Sequence, residues 1–220
     1  MNIKIGEIFK KYPYLEAYKN FTDLKVKHNP KEAVGGMWDE IGNLQFNYLV
    51  KNGLLKNYSL LDIGCGTLRG GIHFIKYLDS NKYTGVDIST KAIEYANKLV
   101  DKKKLRSKNP TLVINKEMNL KFSYFKNEKF DFILAQSVFT HLMPEHIEEC
   151  IKHIGNIMKN NANFFFTAYL SENLERTGIM RFCYPYNYFQ QLSKKFNFNV
   201  EIMNDYNHPR NQVLIRLIKD

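Results

Sequence analysis

The sequence predicts an α/β fold built on a mostly parallel sheet of seven strands, one of them antiparallel. Three observations carry that prediction. Short apolar runs alternate with stretches of helical periodicity and end in a two-stranded hairpin. The run Tyr58–Ile63 feeds the turn Gly64-Cys65-Gly66, and a helix follows directly. The next run, Lys82–Ile88, ends in Gly85-Val86-Asp87, so Asp87 stands 21 residues beyond Gly66. That spacing brings a carboxylate to ribose hydroxyls in a nucleotide-binding β-α-β unit. At 220 residues the chain, 1–220, is read as one domain with a sizeable core. Within it, residues 1–34 form an N-terminal lid or cap, and 170–186 form a substrate-binding insertion.

The elements follow in order. Ile5, Ile8, Phe9, Tyr12, Leu15 and Tyr18 keep helical spacing, interrupted near Pro13. Lys25–Pro30 is expected to be extended. This leading segment reads as a cap packed on the core or as a lid over bound molecules, and the two readings are compatible. Gly35-Gly36 turns into a helix starting near Trp38, with Ile41, Leu44, Tyr48 and Leu49 on its apolar stripe and Gly53 at its end. Gly64 and Gly66 carry no Cβ, so the backbone there can turn sharply and approach a ligand closely. The helix behind them, with Ile72, Ile75 and Leu78 in a stripe, turns free N–H groups toward that turn. Ser89 is a natural N-cap for a helix bearing Ile93, Ala96 and Leu99.

Thr111–Asn115 is a third strand, and the loop after it holds Glu117-Met118. Phe130–Gln136 is the fourth, with Ser137–Leu142 beyond its C-terminal end, where open α/β sheets bind ligands. Pro144 opens a helix with Ile147, Ile151, Ile154 and Met158 along one face. Asn163–Tyr169 is apolar on both faces, as a central strand should be. An irregular excursion, Leu170–Pro185, then a short helix, Tyr188–Phe196, lead to strands Asn199–Tyr206 and Val213–Ile218.

A dinucleotide-binding turn asks for a third glycine at 69, where this chain has Arg69, and the acidic Asp62 suits a cationic amino-acid end instead. Asp62-Ile63-Gly64-Cys65-Gly66, with Gly85-Val86-Asp87, resembles the class I S-adenosylmethionine-dependent methyltransferases. The resemblance runs from about Gly36 to the C-terminus, and Leu68 replaces a third glycine common in that family. It implies a Rossmann-like three-layer sandwich and S-adenosylmethionine as cofactor, with S-adenosylhomocysteine as product and no metal. Carried over residue by residue, it implies a cofactor set of Asp62, Gly64, Gly66, Asp87, Ile88, Glu117, Met118 and Gln136. Glu117 would accept the adenine amino group and Met118 would pack on the ring. Trp38 and Gln45 border the cofactor in the same reading; the other reading of Trp38 is an anchor for its helix.

The net charge of +10 admits nucleic acid, anionic lipid or a small acidic substrate as partner. The one dense basic run, Asp101–Lys108, reads as a solvated helix end. Base-methylating relatives carry an Asn/Asp-Pro-Pro-Tyr/Phe signature after the fourth strand, and this chain has Gln136-Ser137-Val138-Phe139. A nucleic-acid partner is therefore not expected. No apolar run approaches the roughly 20 residues of a membrane span, and the N-terminus shows no apolar signal region. Cys65, Cys150 and Cys183 lack disulfide or metal-ligand spacing, which fits a reducing, cytoplasmic setting.

Methyl transfer from a sulfonium asks the protein to position the acceptor, exclude water and keep the acceptor's lone pair free. His141 is the first candidate base, with Tyr14 second. Arg69, Arg181, Tyr184 and the lid residue Tyr18 suit a phosphate-bearing small molecule, because Arg forks and Tyr hydroxyls bind oxyanions. Lid tyrosines, a histidine and an Arg/Tyr clamp resemble the phosphoethanolamine N-methyltransferases, implying N-methylation of a phosphorylated amino alcohol. A sugar or nucleotide-sugar O-/N-methyltransferase of surface polysaccharide biosynthesis is the alternative acceptor class. A non-catalytic methyltransferase-like binding protein is the alternative of another kind.

Overall fold

The computed structural model describes residues 5–219, and residues 1–4 of the leading segment lie outside that range. The chain opens with α1 (Ile5–Lys11), α2 (Tyr14–His28) and the short α3 (Pro30–Ala33). Then come α4 (Trp38–Lys51), β1 (Leu60–Ile63), α5 (Gly71–Tyr77), β2 (Tyr83–Asp87) and α6 (Thr90–Lys102). β3 (Thr111–Ile114), β4 (Phe130–Ala135), α7 (Pro144–Ile154) and β5 (Met158–Leu170) follow. β6 (Glu175–Arg176), β7 (Phe182–Tyr184), α8 (Tyr186–Lys195), β8 (Phe198–Met203) and β9 (Val213–Lys219) complete it.

Seven strands run in the order β3-β2-β1-β4-β5-β9-β8. β9 alone in this row is antiparallel to its neighbours, β5 and β8. The sheet is buried on both faces, and the strand alternation of side chains sorts them into two cores. Leu61, Ile63, Phe164 and Phe166 face one core, which α7 and α8 close with Ile147, Ile151 and Phe189. Leu60, Phe165 and Leu214 face the other, closed by Leu49 of α4, Phe74 and Ile75 of α5, and Ile93 and Ala96 of α6. The result is the Rossmann-like three-layer sandwich expected from the sequence.

Between β3 and β4 the chain makes no helix. Phe122 and Phe125 instead plug the loop 115–129 into the first core. The order reverses between β1 and β4: β2 and β3 extend to one side, and the chain returns to lay β4 on the other. That switch point opens a crevice at the strands' C-terminal ends.

Local signals account for the helix ends. Ser89 Oγ accepts from Ala92 N at 3.0 Å. Asn29 Oδ1 accepts from Lys31 N at 3.1 Å, and Pro30 follows at the first helical position. Three expectations need correction. Lys25–His28 is the last turn of α2; only Asn29, next to Pro30, becomes extended, at φ −150° and ψ 102°. Met158 begins β5, because α7 stops at Ile154. The excursion 170–185 is partly regular: β7 pairs parallel with the end of β5, and β6 pairs antiparallel with β7.

Candidate active site

The crevice holds a cavity of about 320 Å³. Its floor is the turn after β1. Gly64 and Gly66 take φ of +68° and +55°. A Cβ at Gly64 would lie 2.5 Å from Val138, and one at Gly66 would lie 2.6 Å from Val34, so a side chain fits at neither. Leu68, where the resembled family often has glycine, keeps a left-handed φ of +67° with its side chain fully buried. That conformation costs a leucine about 1–2 kcal/mol, and the burial of its side chain in the second core offsets it.

Two carboxylates flank the turn. Asp62 is buried at the end of β1 and accepts from Tyr83 Oη at 2.7 Å. Burial outweighs that hydrogen bond and pushes its pKa up to about 7; the neighbouring Asp87 raises it further, and Arg69 pulls it down. Asp87 accepts from Gly66 N at 2.9 Å and from Ser89 N at 2.7 Å. Burial raises its pKa to about 6 against those two hydrogen bonds. Each carboxylate therefore sits where ionisation is costly, a setting that favours a ligand carrying positive charge or hydroxyl donors.

The leading segment is tied over the turn by contacts far apart in sequence. Thr67 Oγ1 donates to Pro30 O at 2.9 Å. Arg69 Nη1 donates to Val34 O at 2.7 Å and to Gly36 O at 3.1 Å. Arg210, from the turn between β8 and β9, donates to Gly35 O. Asp23 of α2 accepts from Ser89 Oγ at 2.6 Å and Lys91 N at 3.0 Å. Through these bonds α2 is held along the cavity, and Leu15, Tyr18, Phe21 and Lys25 line it.

Beyond β3 the cavity is lined by Asn115, Met118, Asn119, Leu120 and Tyr124. Asn115 spends its Nδ2 on Asn119 O at 2.7 Å, which leaves its buried Oδ1 without a partner. The buried hydroxyl of Tyr124 also lacks one. Glu117, in contrast, is exposed and accepts from Asn119 Nδ2 at 2.9 Å, outside the cavity lining.

Beyond β4, His141 ends a 3-10 turn, Phe139–His141. Its Nδ1 lies 2.5 Å from Met180 O. A carbonyl only accepts, so Nδ1 carries the proton and Nε2 keeps its lone pair. Burial lowers the imidazole's pKa; the Met180 bond raises it, and the nearby Arg181 and Lys25 lower it again. The ring is neutral near pH 7. Tyr18 packs on it with ring centroids 5.4 Å apart. Gln136 anchors the strand end: it accepts from Tyr206 Oη at 2.6 Å, and its Nε2 faces Ser137 Oγ at 3.1 Å.

Four residues named from the sequence do not line the cavity. Tyr14 donates its hydroxyl to His141 O at 2.6 Å, and that commitment takes it out of proton transfer. Tyr184 is fully buried and donates to Leu142 O at 2.5 Å, so it cannot clamp a phosphate. Trp38 stands outside under Lys31, whose Nζ is 5.5 Å from the ring centroid. Glu117 is the fourth. Arg69 does line the cavity, but both of its bonds go to backbone carbonyls, which makes it a strap. Gln45, Ile88, Gln136, Tyr18 and Arg181 reach the cavity with Asp62, Gly64, Gly66, Asp87, Met118 and His141.

A glycine turn between two buried carboxylates, an unpartnered Asn115 oxygen and a neutral histidine share this one crevice. Residues 61–164 match a family model described as a methyltransferase domain. That stretch is a methyltransferase domain. Solved structures agree on the fold. Magnesium protoporphyrin IX methyltransferase from Synechocystis PCC 6803, with bound SAM, superposes at a TM-score of 0.70 and 13% identity, over 95% of this chain and 98% of that one. A SAM-dependent methyltransferase from Clostridium acetobutylicum gives 0.64 and 15%, over 89% and 97%. A glycopeptide N-methyltransferase complexed with S-adenosylhomocysteine gives 0.64 and 11%, over 81% and 90%.

The cavity beside this domain's glycine turn has features that fit S-adenosylmethionine. The floor leaves no room for a Cβ, and the unpartnered Asn115 Oδ1 can accept from an amino group. Sequence reading missed Asn115, Tyr124 and Arg210, and held the Lys25/Lys27 stretch as the second place for an anion clamp after Arg181 and Tyr184. Asn115 carried a usable signal, since it directly follows β3. Arg210 carried none, because tertiary contacts alone bring it to the crevice. No helix is long and apolar enough to cross a membrane among the described residues.

Proposed function

We propose that the methyltransferase moves the methyl group of S-adenosylmethionine to a nitrogen or oxygen of a small acceptor that bears an anionic group. A phosphorylated amino alcohol such as phosphoethanolamine is the acceptor that fits best. The observation that carries the reading is His141, neutral, fixed in one tautomer, and lining the same cavity as Asp62, Asp87, Lys25 and Arg181. The solved relatives include a porphyrin and a glycopeptide methyltransferase, so the acceptor reading rests on this cavity's own charges.

In this reading Asp62 takes the ammonium of the cofactor's amino-acid end and Asp87 takes the ribose hydroxyls. Asn115, rather than Glu117, accepts from the adenine amino group, with Met118 against the ring. The bound cofactor supplies a methyl carbon activated by the positive sulfur, so the acceptor's lone pair displaces a neutral thioether. The protein's share is position and proton removal. Met180 O holds the Nδ1 proton, so Nε2 of His141 takes the proton that the acceptor nitrogen or oxygen gives up. Tyr14 and Tyr18 support that ring from α2, one through the His141 carbonyl and one by packing.

A methyl-transfer screen over phosphorylated amines, nucleotide sugars and free amines tests the proposal. Turnover on the phosphorylated amines is expected. Turnover on nucleotide sugars with none on phosphorylated amines would move the acceptor to the sugar class. Tight S-adenosylhomocysteine binding without turnover on any acceptor would favour a binding protein.

A further inference from the structure

The cavity lining contains four cations, Lys25, Arg69, Arg181 and Arg210, and two carboxylates, Asp62 and Asp87. The carboxylates border the glycine turn, and two of the cations are already engaged. Arg69 is bonded to Val34 O and Gly36 O, and Arg210 to Gly35 O. The side chains of Lys25 and Arg181 make no hydrogen bond or ion pair among the described residues. Each lies only against a ring: Lys25 Nζ is 5.7 Å from the Phe21 centroid, and the Arg181 guanidinium is 5.1 Å from that of Tyr169. Lys25 is half-buried and Arg181 is exposed. Two cations whose side chains lack a hydrogen bond or ion pair border one crevice from opposite ends of the chain, α2 and the segment just before β7.

We infer that Lys25 and Arg181 form the acceptor's anion site, a clamp for a phosphate monoester that closes around the group next to His141. The inference rests on the methyltransferase reading above and replaces the Arg181–Tyr184 pair expected from the sequence, because the Tyr184 hydroxyl is consumed by Leu142 O. Burial disfavours the Lys25 ammonium, and Glu32 offsets that from beyond ion-pair distance, so an incoming dianion relieves the remaining cost. A planar guanidinium fork opposite a point-charge ammonium matches a tetrahedral oxyanion better than a carboxylate. The placement suits the chemistry, since both cations act on the His141 ring. An acceptor held by its phosphate would therefore have its amine or hydroxyl end beside that ring.

The test uses the full chain saturated with S-adenosylhomocysteine, with inorganic phosphate as the probe, titrated by calorimetry. The parent should bind phosphate, and acetate more weakly. Lys25→Gln and Arg181→Gln should each weaken phosphate binding by roughly tenfold to a hundredfold, the worth of one charged hydrogen bond. Lys25→Arg should restore most of the affinity. S-adenosylhomocysteine affinity should be the same in all four proteins. Phosphate affinity untouched by both neutral substitutions overturns the clamp, as does a saturated parent that binds no phosphate or prefers acetate. A parent that fails to bind S-adenosylhomocysteine at all overturns the underlying methyltransferase reading instead. Arg181 is exposed, so Arg181→Gln keeps the test decisive if Lys25→Gln fails to fold.

Discussion

Asp62 is where function and stability pull against each other in a single side chain. Its carboxyl is buried and accepts a hydrogen bond from the Tyr83 hydroxyl. Asp62→Asn keeps an acceptor for that hydroxyl and removes the charge. We expect the ligand-free variant to be at least as stable as the parent at pH 8 and to lose affinity for S-adenosylhomocysteine by tenfold or more, about the cost of a charged hydrogen bond. Thermal melts and calorimetric titration read the two effects separately; an unchanged affinity would remove Asp62 from the cofactor site. His141 gives the second prediction at this scale. His141→Gln should lower turnover by about 10²–10⁴-fold, the usual worth of a general base, with cofactor affinity nearly intact. Its lowered pKa sets the sign of the parent's pH profile. The base is lost only when protonated, so the acid limb of kcat/KM should fall below the ordinary imidazole value of 6.5. Lys25→Gln should shift that limb upward, because one depressing charge has gone. A limb that stays put would separate Lys25 from the His141 ring.

At the scale of elements, α2 decides what the leading segment does. Its amphipathic spacing is weak, and among its residues only Ala17 and Val26 are buried. Helix α2 is held by Asp23, whose carboxylate accepts from Ser89 Oγ and Lys91 N at the start of α6. Asp23→Ala leaves the fully buried Ser89 hydroxyl without that acceptor. A loss of about 1–3 kcal/mol is expected, concentrated in the docking of α2 rather than in the sheet. Limited proteolysis should then cut within residues 5–28 sooner than elsewhere in the variant, while the parent resists there. Equal cleavage rates would mean that the straps at Thr67 and Arg69 suffice without Asp23. The arm formed by β6 and β7 matters for a similar reason. Met180 O on this arm fixes the His141 tautomer, and Arg176 stacks against both Tyr14 and Phe182. Arm and helix thus meet around the same histidine.

For the whole molecule, the two site carboxylates leave a signature in its pH dependence. Asp62 rises from 3.8 to about 7 and Asp87 from 3.8 to about 6. Below pH 3.8 both groups are protonated in folded and unfolded chains alike. Between 3.8 and 7 the folded protein holds more protons than the unfolded chain, so these groups lower stability as pH rises, and their effect levels off above 7. We expect ligand-free stability to decline across that window, measured by denaturant melts at fixed ionic strength, and Asp62→Asn to flatten the decline. Cofactor binding should reverse the cost. If the ammonium pairs with ionised Asp62, S-adenosylhomocysteine affinity should increase from pH 6 to 8, with proton release detectable in buffers of different ionisation enthalpy.

The sequence by itself determined what neighbouring residues in the chain can decide. The turn Gly64-Cys65-Gly66 needs no distant partner to admit left-handed backbone, and Ser89 caps a helix only three residues ahead. The strand–helix alternation names the sandwich because the central strands bury both faces. Asp62 and Asp87 follow as strand ends in known register. Tertiary structure alone decided which polar groups remain free to act. The Tyr14 hydroxyl goes to a carbonyl 127 residues away, that of Tyr184 to one 42 away, and Arg69 to one 35 away. Asn115 keeps an oxygen free because its amide nitrogen is spent on Asn119 O, and the exposed Glu117 accepts from the Asn119 side chain. Spacing along a chain says where a side chain starts; only the folded surroundings say which of its hydrogen bonds are already made.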